Sequence, residues 1–418
     1  MDSINIYYKD IFVGILDYSG VEDTFDFIYN ENWKQIGFEL SPSIKFNDNF
    51  NSTTIKNFID NLLPEGNHLE TLSQYYQISK NNKYALINAI GYETTGALTF
   101  CKDIVDIQTT FTKLDTITLA SRIKQRKNIP LSIWDGKPRL SIAGVQDKLP
   151  ICILDKQIGF GEGNLASTHI LKFDKDDDNL VQNEYLSLFL ASKIGINVAE
   201  HKLIKIENEL ILQIKRFDRE LIDNSKVNRL HIIDAVQALN LPVSYKYERN
   251  FGSSRDVKDI KEGVSYQKLF SLINLCDNPL VVKKELIRWI CINLILGNSD
   301  AHGKNVSFLV SKDSFTLAPF YDIVNISLYK HKYEQDMAMA IDEEFNLEKL
   351  KLYDFNQFYK TININKQLFK KEFQYISKTI INTLHLRNFN TTYLTDEFIK
   401  LYEDDVAQRV EYLYSVIL

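Results

Sequence analysis

The sequence predicts an α+β fold in two lobes, on three observations. Runs of β-branched and aromatic residues, broken by turn residues, fill most of the chain ahead of residue 220. Apolar residues at helical spacing dominate behind residue 230. Just past the most apolar helical segment comes a dense cluster of Gly, Asn, Asp and His. Strands first and helices second is the order of segregated layers, not of alternating βα units. The expected divisions are 1–105, 106–220 and 221–418, the first two strand-rich and the last an all-helical lobe.

The elements follow in order. Residues 6–8, 12–16 and 24–28 read as strands. Asn51-Ser52-Thr53 is a helix start, with Ile55, Phe58, Ile59 and Leu62 at helical spacing behind it, and Pro64-Glu65-Gly66 breaks that helix. A strand at 96–100 closes the first division. Strands are expected at 149–154, 169–173, 201–206 and 210–214, the last two forming a hairpin that turns at Glu207-Asn208-Glu209. A helix over 183–194 stops at Gly195. Gly159-Phe160-Gly161-Glu162-Gly163 reads as a loop, because it lacks the dinucleotide-binding spacing and no helix follows. Residues 232–241 read as a helix ending before Pro242, and 250–263 as a mobile loop. Residues 283–296 are apolar almost all round, which predicts a buried central helix.

Composition excludes several classes. The 49 basic and 55 acidic residues give a net charge of −6, so binding to nucleic acid through overall charge is not expected. Cys101, Cys152, Cys276 and Cys291 form no CxxC pair and flank no His cluster, which argues against zinc and disulfides and for reduced, packed thiols. Asp174 opens a stretch like a calcium loop, but Asn179 and Tyr185 stand where Gly and Glu are needed. No signal peptide is expected from Met1-Asp2-Ser3-Ile4-Asn5, and 286–296 is too short to span a bilayer and carries Arg288 and Asn293. The expectation is a cytoplasmic protein with no membrane partner.

The chemistry concentrates in Gly297-Asn298-Ser299-Asp300-Ala301-His302-Gly303-Lys304-Asn305 and in Pro319-Phe320-Tyr321-Asp322-Ile323. Phosphoryl transfer needs one carboxylate at the attacking hydroxyl, and an Asn and a second carboxylate to hold Mg²⁺ on the phosphates. Asp300, Asn305 and Asp322 supply that set at the Asp-x4-Asn spacing of kinase catalytic loops. Asp and Asn also favour ordinary turns, so a loop reading stands beside the chemical one. Lys172 ends an apolar strand and Glu184 opens the next helix, as a phosphate-gripping lysine and its acidic partner would. Taken alone, Lys172 reads equally as a solvated strand end. Residues 140–148 place Ala143 and Gly144 where backbone N–H groups could approach phosphate, and a plain hairpin turn is the other reading. Lys215-Arg216-Phe217 lies where a hinge would pass an adenine, or is simply a charged strand terminus. In this order the parts describe a two-lobed, protein-kinase-like fold.

Seven segments together resemble the HipA family of bacterial serine/threonine kinases, the toxin halves of HipA/HipB toxin–antitoxin pairs. They are Asp60-Asn61-Leu62-Leu63-Pro64, Ser141 to Lys148, Thr168 to Lys172, Asn183-Glu184-Tyr185, Arg216 to Arg219, Asp300 to Asn305 and Pro319 to Ile323. The resemblance implies Asp300 as catalytic residue and Asn305 and Asp322 as Mg²⁺ ligands. It implies Lys172 at the ATP phosphates with Glu184 as its partner. Ala143, Gly144, Val145, Gln146, Asp147 and Lys148 would form the phosphate loop and Lys215, Arg216 and Phe217 the hinge, with His302, Lys304 and Tyr321 lining the nucleotide site. Ser141 matches an autophosphorylated serine whose modification displaces the phosphate loop and switches the kinase off. The resemblance further implies a small helix-turn-helix antitoxin of the HipB type, operator DNA reached mainly through it, and a protein substrate such as glutamyl-tRNA synthetase or another aminoacyl-tRNA synthetase. Two departures stand out: Lys215 replaces an acidic hinge residue, and the connector from Lys172 to Glu184 is short. The competing expectations are a small-molecule or phosphoinositide-type kinase, which the 300–305 pattern also resembles, and a non-catalytic, antitoxin-binding co-repressor.

Overall fold

The computed structural model describes residues 2–47, 50–102, 107–126, 128–131, 133–139, 148–174 and 178–418. The expected autophosphorylation residue Ser141 and the expected phosphate-loop residues Ala143, Gly144, Val145, Gln146 and Asp147 lie outside these, as does part of the acidic connector after Asp174.

Alternation of buried and exposed residues builds the first sheet. In Thr24–Tyr29, Phe25, Phe27 and Tyr29 point inward while Asp26 and Ile28 point out. The antiparallel order is Thr24–Tyr29, Ile11–Ser19, Asp2–Tyr8, Leu98–Cys101. The helix Ser52–Leu62 packs on it, capped by the Asn51 side chain on Thr54 N–H. The helix Ser52–Leu62 stops ahead of Pro64, where the break was expected, and Gly66–Tyr76 and Lys83–Ile90 follow it.

The second sheet has six antiparallel strands in the order His201–Ile206, Glu209–Lys215, His169–Phe173, Lys148–Leu154, Gln157–Glu162, Thr110–Lys113. The expected hairpin is there, turning at Glu207 with φ +53°. Leu149, Ile151, Leu171 and Phe173 face a core with Trp134, Leu119 and Ile123. The period of two therefore sends Lys148 and Lys172 to the opposite face, directly paired across two strands. The glycine cluster at 159–163, expected as a loop, is instead mostly strand. Gly159 pairs with Lys113 and Cys152, and a Cβ there would meet the Phe111 ring at 2.5 Å, so the absence of side chains is what lets the neighbouring strand close in.

The rear half is built round Pro279–Leu296, whose residues from Ile290 to Leu296 are all buried. The helices Leu180–Lys193, Lys366–His385 and Asp396–Ile417 surround it. This confirms the expected central helix, but the lobe is not all-helical. Ile232–Asp234, Ser307–Ser311 and Ser314–Leu317 form one antiparallel sheet, and Asp336–Ile341 pairs with Glu344–Asn346. The expected helix at 232–241 is a strand followed by a short helix, Ala235–Ala238, started by a reciprocal cap between Asp234 and Gln237. Ile232 and Ile233 look helical locally, but their partners, Leu309 and Phe308, come from far along the chain. No helix among the described residues is long and apolar enough to cross a membrane, and all four cysteines are buried thiols outside any disulfide.

Candidate active site

A cavity of about 1110 Å³ opens between the inner face of the second sheet and the loop after the central helix. Every expected site residue among the described ones lines it: Lys148, Lys172, Glu184, Lys215, Arg216, Phe217, Asp300, His302, Lys304, Asn305, Tyr321 and Asp322.

At its base Lys172 Nζ lies 2.6 Å from Glu184 Oε1 and also donates to Asp322 Oδ1. Burial disfavours the Lys172 charge, but the Asp322 and Glu184 carboxylates outweigh it and raise its pKa. Glu184 is fully buried in the helix Leu180–Lys193. Burial pushes its carboxyl up to about 7 against the pull of Lys172. Asp322 is also opposed by burial, yet Lys172 and then Lys148 hold it down at about 2. Burial lowers Lys148 to about 8, with Asp322 resisting the fall.

Asp322 adopts φ +53°, a left-handed conformation uncommon for a residue other than Gly. Neighbouring contacts hold it on both sides. Before it, Phe320 N–H bonds the Asn197 carbonyl at 2.8 Å and Tyr321 OH donates to the Lys304 carbonyl at 2.6 Å. After it, Asn183 bonds both the carbonyl and the N–H of Asn325, at 2.9 and 2.8 Å. The pair Asn183-Glu184 thus sets the turn after Asp322 and the lysine facing it.

The loop 297–305 begins where Gly297, at φ +56°, caps the central helix and Asn298 N–H closes on the Asn293 carbonyl at 2.9 Å. The Asp300 carbonyl accepts from His302 N–H at 2.8 Å and from Asn305 Nδ2 at 3.1 Å, so the two ends of the Asp-x4-Asn motif are tied together. The Asp300 side chain is 57% exposed and accepts from Tyr247 OH at 2.5 Å. His302 is buried, which lowers its pKa and favours the neutral ring. The Tyr247 ring meets it edge-on at 5.0 Å.

The strand Glu209–Lys215 runs into the expected hinge, where the side chains turn elsewhere. Lys215 pairs with Glu200 at 3.2 Å on the surface. Arg216 is buried and bidentate to Asp218, at 2.9 and 2.7 Å. Phe217 packs toward Tyr321, the two ring centroids 5.7 Å apart. Among the described residues its backbone N–H and carbonyl make no hydrogen bond, which leaves a donor and an acceptor for an adenine edge. Lys304, expected at the nucleotide, has its ammonium engaged by Asp234 Oδ2 at 2.7 Å and by the Asn61 side-chain and backbone oxygens at 3.0 and 3.1 Å.

Several contributors had no role assigned to them from the sequence. Asp218 also accepts from Arg219 at 2.6 Å and from Gly96 N–H at 3.1 Å. Burial opposes its charge, but Arg216 and Arg219 hold its carboxyl far below the usual range. Arg219 and Arg229 reach the carbonyls of Thr94, Gly96, Leu98 and Tyr92, so the turn before Leu98–Cys101 is gripped from behind the hinge. Asn61, Glu65, Lys246 and Tyr247 likewise meet the site only through tertiary contacts. Of these only Asn61 falls in a segment that the family resemblance singles out, and the resemblance assigns it no role.

The donor set fits a magnesium nucleotide. Asn305 and Asp322 offer hard oxygen donors in one cavity, and no group of three His, Cys, Asp or Glu side chains that could hold a metal alone occurs among the described residues. A site of few protein ligands completed by phosphates is the usual Mg²⁺ arrangement. Two buried polar atoms at this cavity, Glu184 Oε2 and His302 Nδ1, have no hydrogen-bond partner among the described residues.

Comparison with known proteins gives the family. The family described as HipA N-terminal domain matches residues 4–101, and that described as HipA-like C-terminal domain matches residues 140–384. The chain is 40% identical over 380 residues to the serine/threonine-protein kinase toxin HipA of Shewanella oneidensis, covering 90% of this chain and 87% of that protein. It superposes with a TM-score of 0.90 and 37% identity on a chain of the Shewanella oneidensis HipA, HipB and operator DNA complex, covering 99% of this chain and 98% of that one. Both domains matched in order, and identity sustained along nine-tenths of the chain, show that this protein belongs to the HipA family and is a serine/threonine kinase of that type.

Proposed function

We propose that the protein is the kinase toxin of a toxin–antitoxin pair, transferring the γ-phosphate of ATP to a serine of a protein substrate. The observation that carries this is the grouping of Lys172, Glu184 and Asp322 in one cavity with Asp300 and Asn305. Lys172, steered by Glu184, would grip the α- and β-phosphates, and Lys148 on the paired strand would add a second positive charge. The Phe217 backbone and the Phe217 and Tyr321 rings would receive the adenine. Asp322 and Asn305 would hold Mg²⁺, which would supply positive charge to offset that of the phosphates. The substrate serine Oγ attacks the γ-phosphorus, the bond to the β-phosphate oxygen breaks, ADP departs, and the hydroxyl proton passes to Asp300. The exposed Asp300 carboxylate suits that role, because Tyr247 OH already shows it accepting from a hydroxyl.

Ser141 is the proposed site of self-inactivation. A dianionic phosphate in a loop built for ATP phosphates would repel them and compete for the same N–H groups. An aminoacyl-tRNA synthetase such as glutamyl-tRNA synthetase is the proposed substrate class. A HipB-like helix-turn-helix antitoxin is the proposed partner and the main route to operator DNA, in a cytoplasmic setting. Support for the partner is the likeness over 99% of the chain to the HipA of a HipA, HipB and operator DNA complex.

The test is intact mass and phosphosite mapping before and after Mg-ATP, with Asp300→Asn and Ser141→Ala alongside. Phosphate on Ser141 in the wild type and none in Asp300→Asn, with Mg-ATP binding retained, is expected, and Ser141→Ala should stay active for longer. Undiminished transfer by Asp300→Asn would remove that residue from the mechanism.

A further inference from the structure

The segment 60–66 of the N-terminal subdomain has so far no part in the reaction, yet it makes two separate approaches to the loop that carries Asp300 and Asn305. The first runs through Asn61. Its Nδ2 donates to the Asn57 carbonyl at 2.9 Å and to the Leu241 carbonyl at 3.1 Å. Both amide protons being used, Oδ1 is turned to Lys304 Nζ at 3.0 Å, while the Asn61 carbonyl receives the same ammonium at 3.1 Å. With Asp234 at 2.7 Å, all three Lys304 donors have acceptors. Lys304 directly precedes Asn305, and its carbonyl accepts from the hydroxyl of Tyr321, the residue before Asp322. The second approach runs through Glu65, whose Oε2 lies 2.8 Å from Lys246 Nζ. Burial opposes the Glu65 charge, but Lys304 and Lys246 hold its carboxyl below the usual range. Lys246 sits over the Tyr247 ring, 5.5 Å from its centroid, and Tyr247 OH bonds Asp300.

We propose that Asn61 and Glu65 are positioning residues of the kinase, by which the N-terminal subdomain sets Asn305 through Lys304 and Asp300 through Lys246 and Tyr247. Neither residue touches the reacting atoms. The phosphate-gripping lysine and the hinge are held by other contacts, so the predicted effect falls on turnover and not on nucleotide capture. This rests on the kinase reading for its kinetic consequence, while its structural half stands without it.

The experiment uses the full chain with Asn61→Leu, Asn61→Asp and Glu65→Gln, with Lys56→Ala as reference. Lys56 lies on the same helix as Asn61 and pairs with Asp23, away from the loop. Hydrogen–deuterium exchange of 299–306 and of 286–296 is read beside kcat, the KM for ATP and the Mg²⁺ dependence. Asn61→Leu and Glu65→Gln should each lower kcat by about tenfold, the scale of removing a group that orients a ligand. Asn61→Leu should also raise the Mg²⁺ requirement, the KM for ATP moving less than about threefold. Exchange of 299–306 should quicken with 286–296 unchanged. Asn61→Asp, which keeps an acceptor for Lys304, should recover part of the loss. Unchanged kcat and unchanged loop exchange in both Asn61→Leu and Glu65→Gln would overturn the proposal. If Asn61→Leu does not fold, Glu65→Gln at the cavity edge decides alone. A wild type that transfers no phosphate, but whose loop loosens in these variants, would overturn the kinase mechanism and leave the coupling standing.

Discussion

Replacing Asp218 with Asn removes one charge from the best-satisfied ionic group behind the hinge. The carboxylate is 4% exposed and accepts from Arg216 at 2.9 and 2.7 Å, from Arg219 at 2.6 Å and from Gly96 N–H at 3.1 Å. An Asn fits the space but presents one acceptor, so two buried guanidinium groups lose their counter-charge. Glu93 Oε1 is the nearest other carboxylate, 4.0 Å from Arg216, and it is already held by Ser167. Breaking a buried pair from one side costs roughly 3–5 kcal/mol, and the retained amide contacts place this case at about 3 kcal/mol. The linkage has a definite sign. The folded state depresses the Asp218 pKa, so its stabilisation is present above the unfolded value of about 3.9 and is lost as pH falls through the lower folded value. The gap between wild type and variant should therefore be full at pH 7 and shrink below about pH 4. Urea unfolding followed by tryptophan fluorescence suits the measurement, because Trp33, Trp134 and Trp289 are each buried in a different part of the chain. The KM for ATP should rise in parallel, since Arg216 and Asp218 flank Phe217. A loss of stability under about 1 kcal/mol at pH 7, or a gap that widens in acid, would refute this reasoning.

Three further outcomes are expected. Asp322→Asn should lower kcat by about 10²-fold or more and raise the Mg²⁺ requirement, on the scale of removing one preorganised charge partner, with titration of activity against Mg²⁺ as the measurement. Burial lowers Lys148 to about 8, so Mg-ATP affinity should weaken as pH climbs from 7 to 9 and the site loses a positive charge; calorimetry on Lys148→Gln should give a flatter profile. Gly297→Ala should destabilise the protein by about 1–2 kcal/mol or more, read from urea midpoints, because φ is +56° and a Cβ would meet Ser327 and Arg409 at 2.9–3.1 Å.

What could be read from the sequence was local or ordered along the chain. The strand His169–Phe173 shows itself by alternation, the central helix by its all-round apolar surface, and the lysine, glutamate, Asp-x4-Asn and aspartate by their sequence order. Ile232 and Ile233 misled because strand pairing with 308–309 overrode a helical pattern. Gly159 misled because glycine marks a close approach between strands as readily as a turn. Tyr247, Asn61 and Glu65 belong to the site only through contacts made after folding. Tyr247 lies fifty-three residues from Asp300, and no spacing rule reaches that far.

The pairing of Lys148 with Lys172 also limits how this chain can change length. Both lysines face the cavity because they share one strand register. Inserting or deleting a single residue within either strand would rotate the lysine out and send a leucine, Leu149 or Leu171, into the nucleotide's place. Additions are far better tolerated at the turn after Leu154, where Asp155 and Lys156 already adopt left-handed conformations, because extra residues there leave both registers intact. Related chains should therefore differ in length at 155–156, and keep their residue count within 148–154 and 169–173.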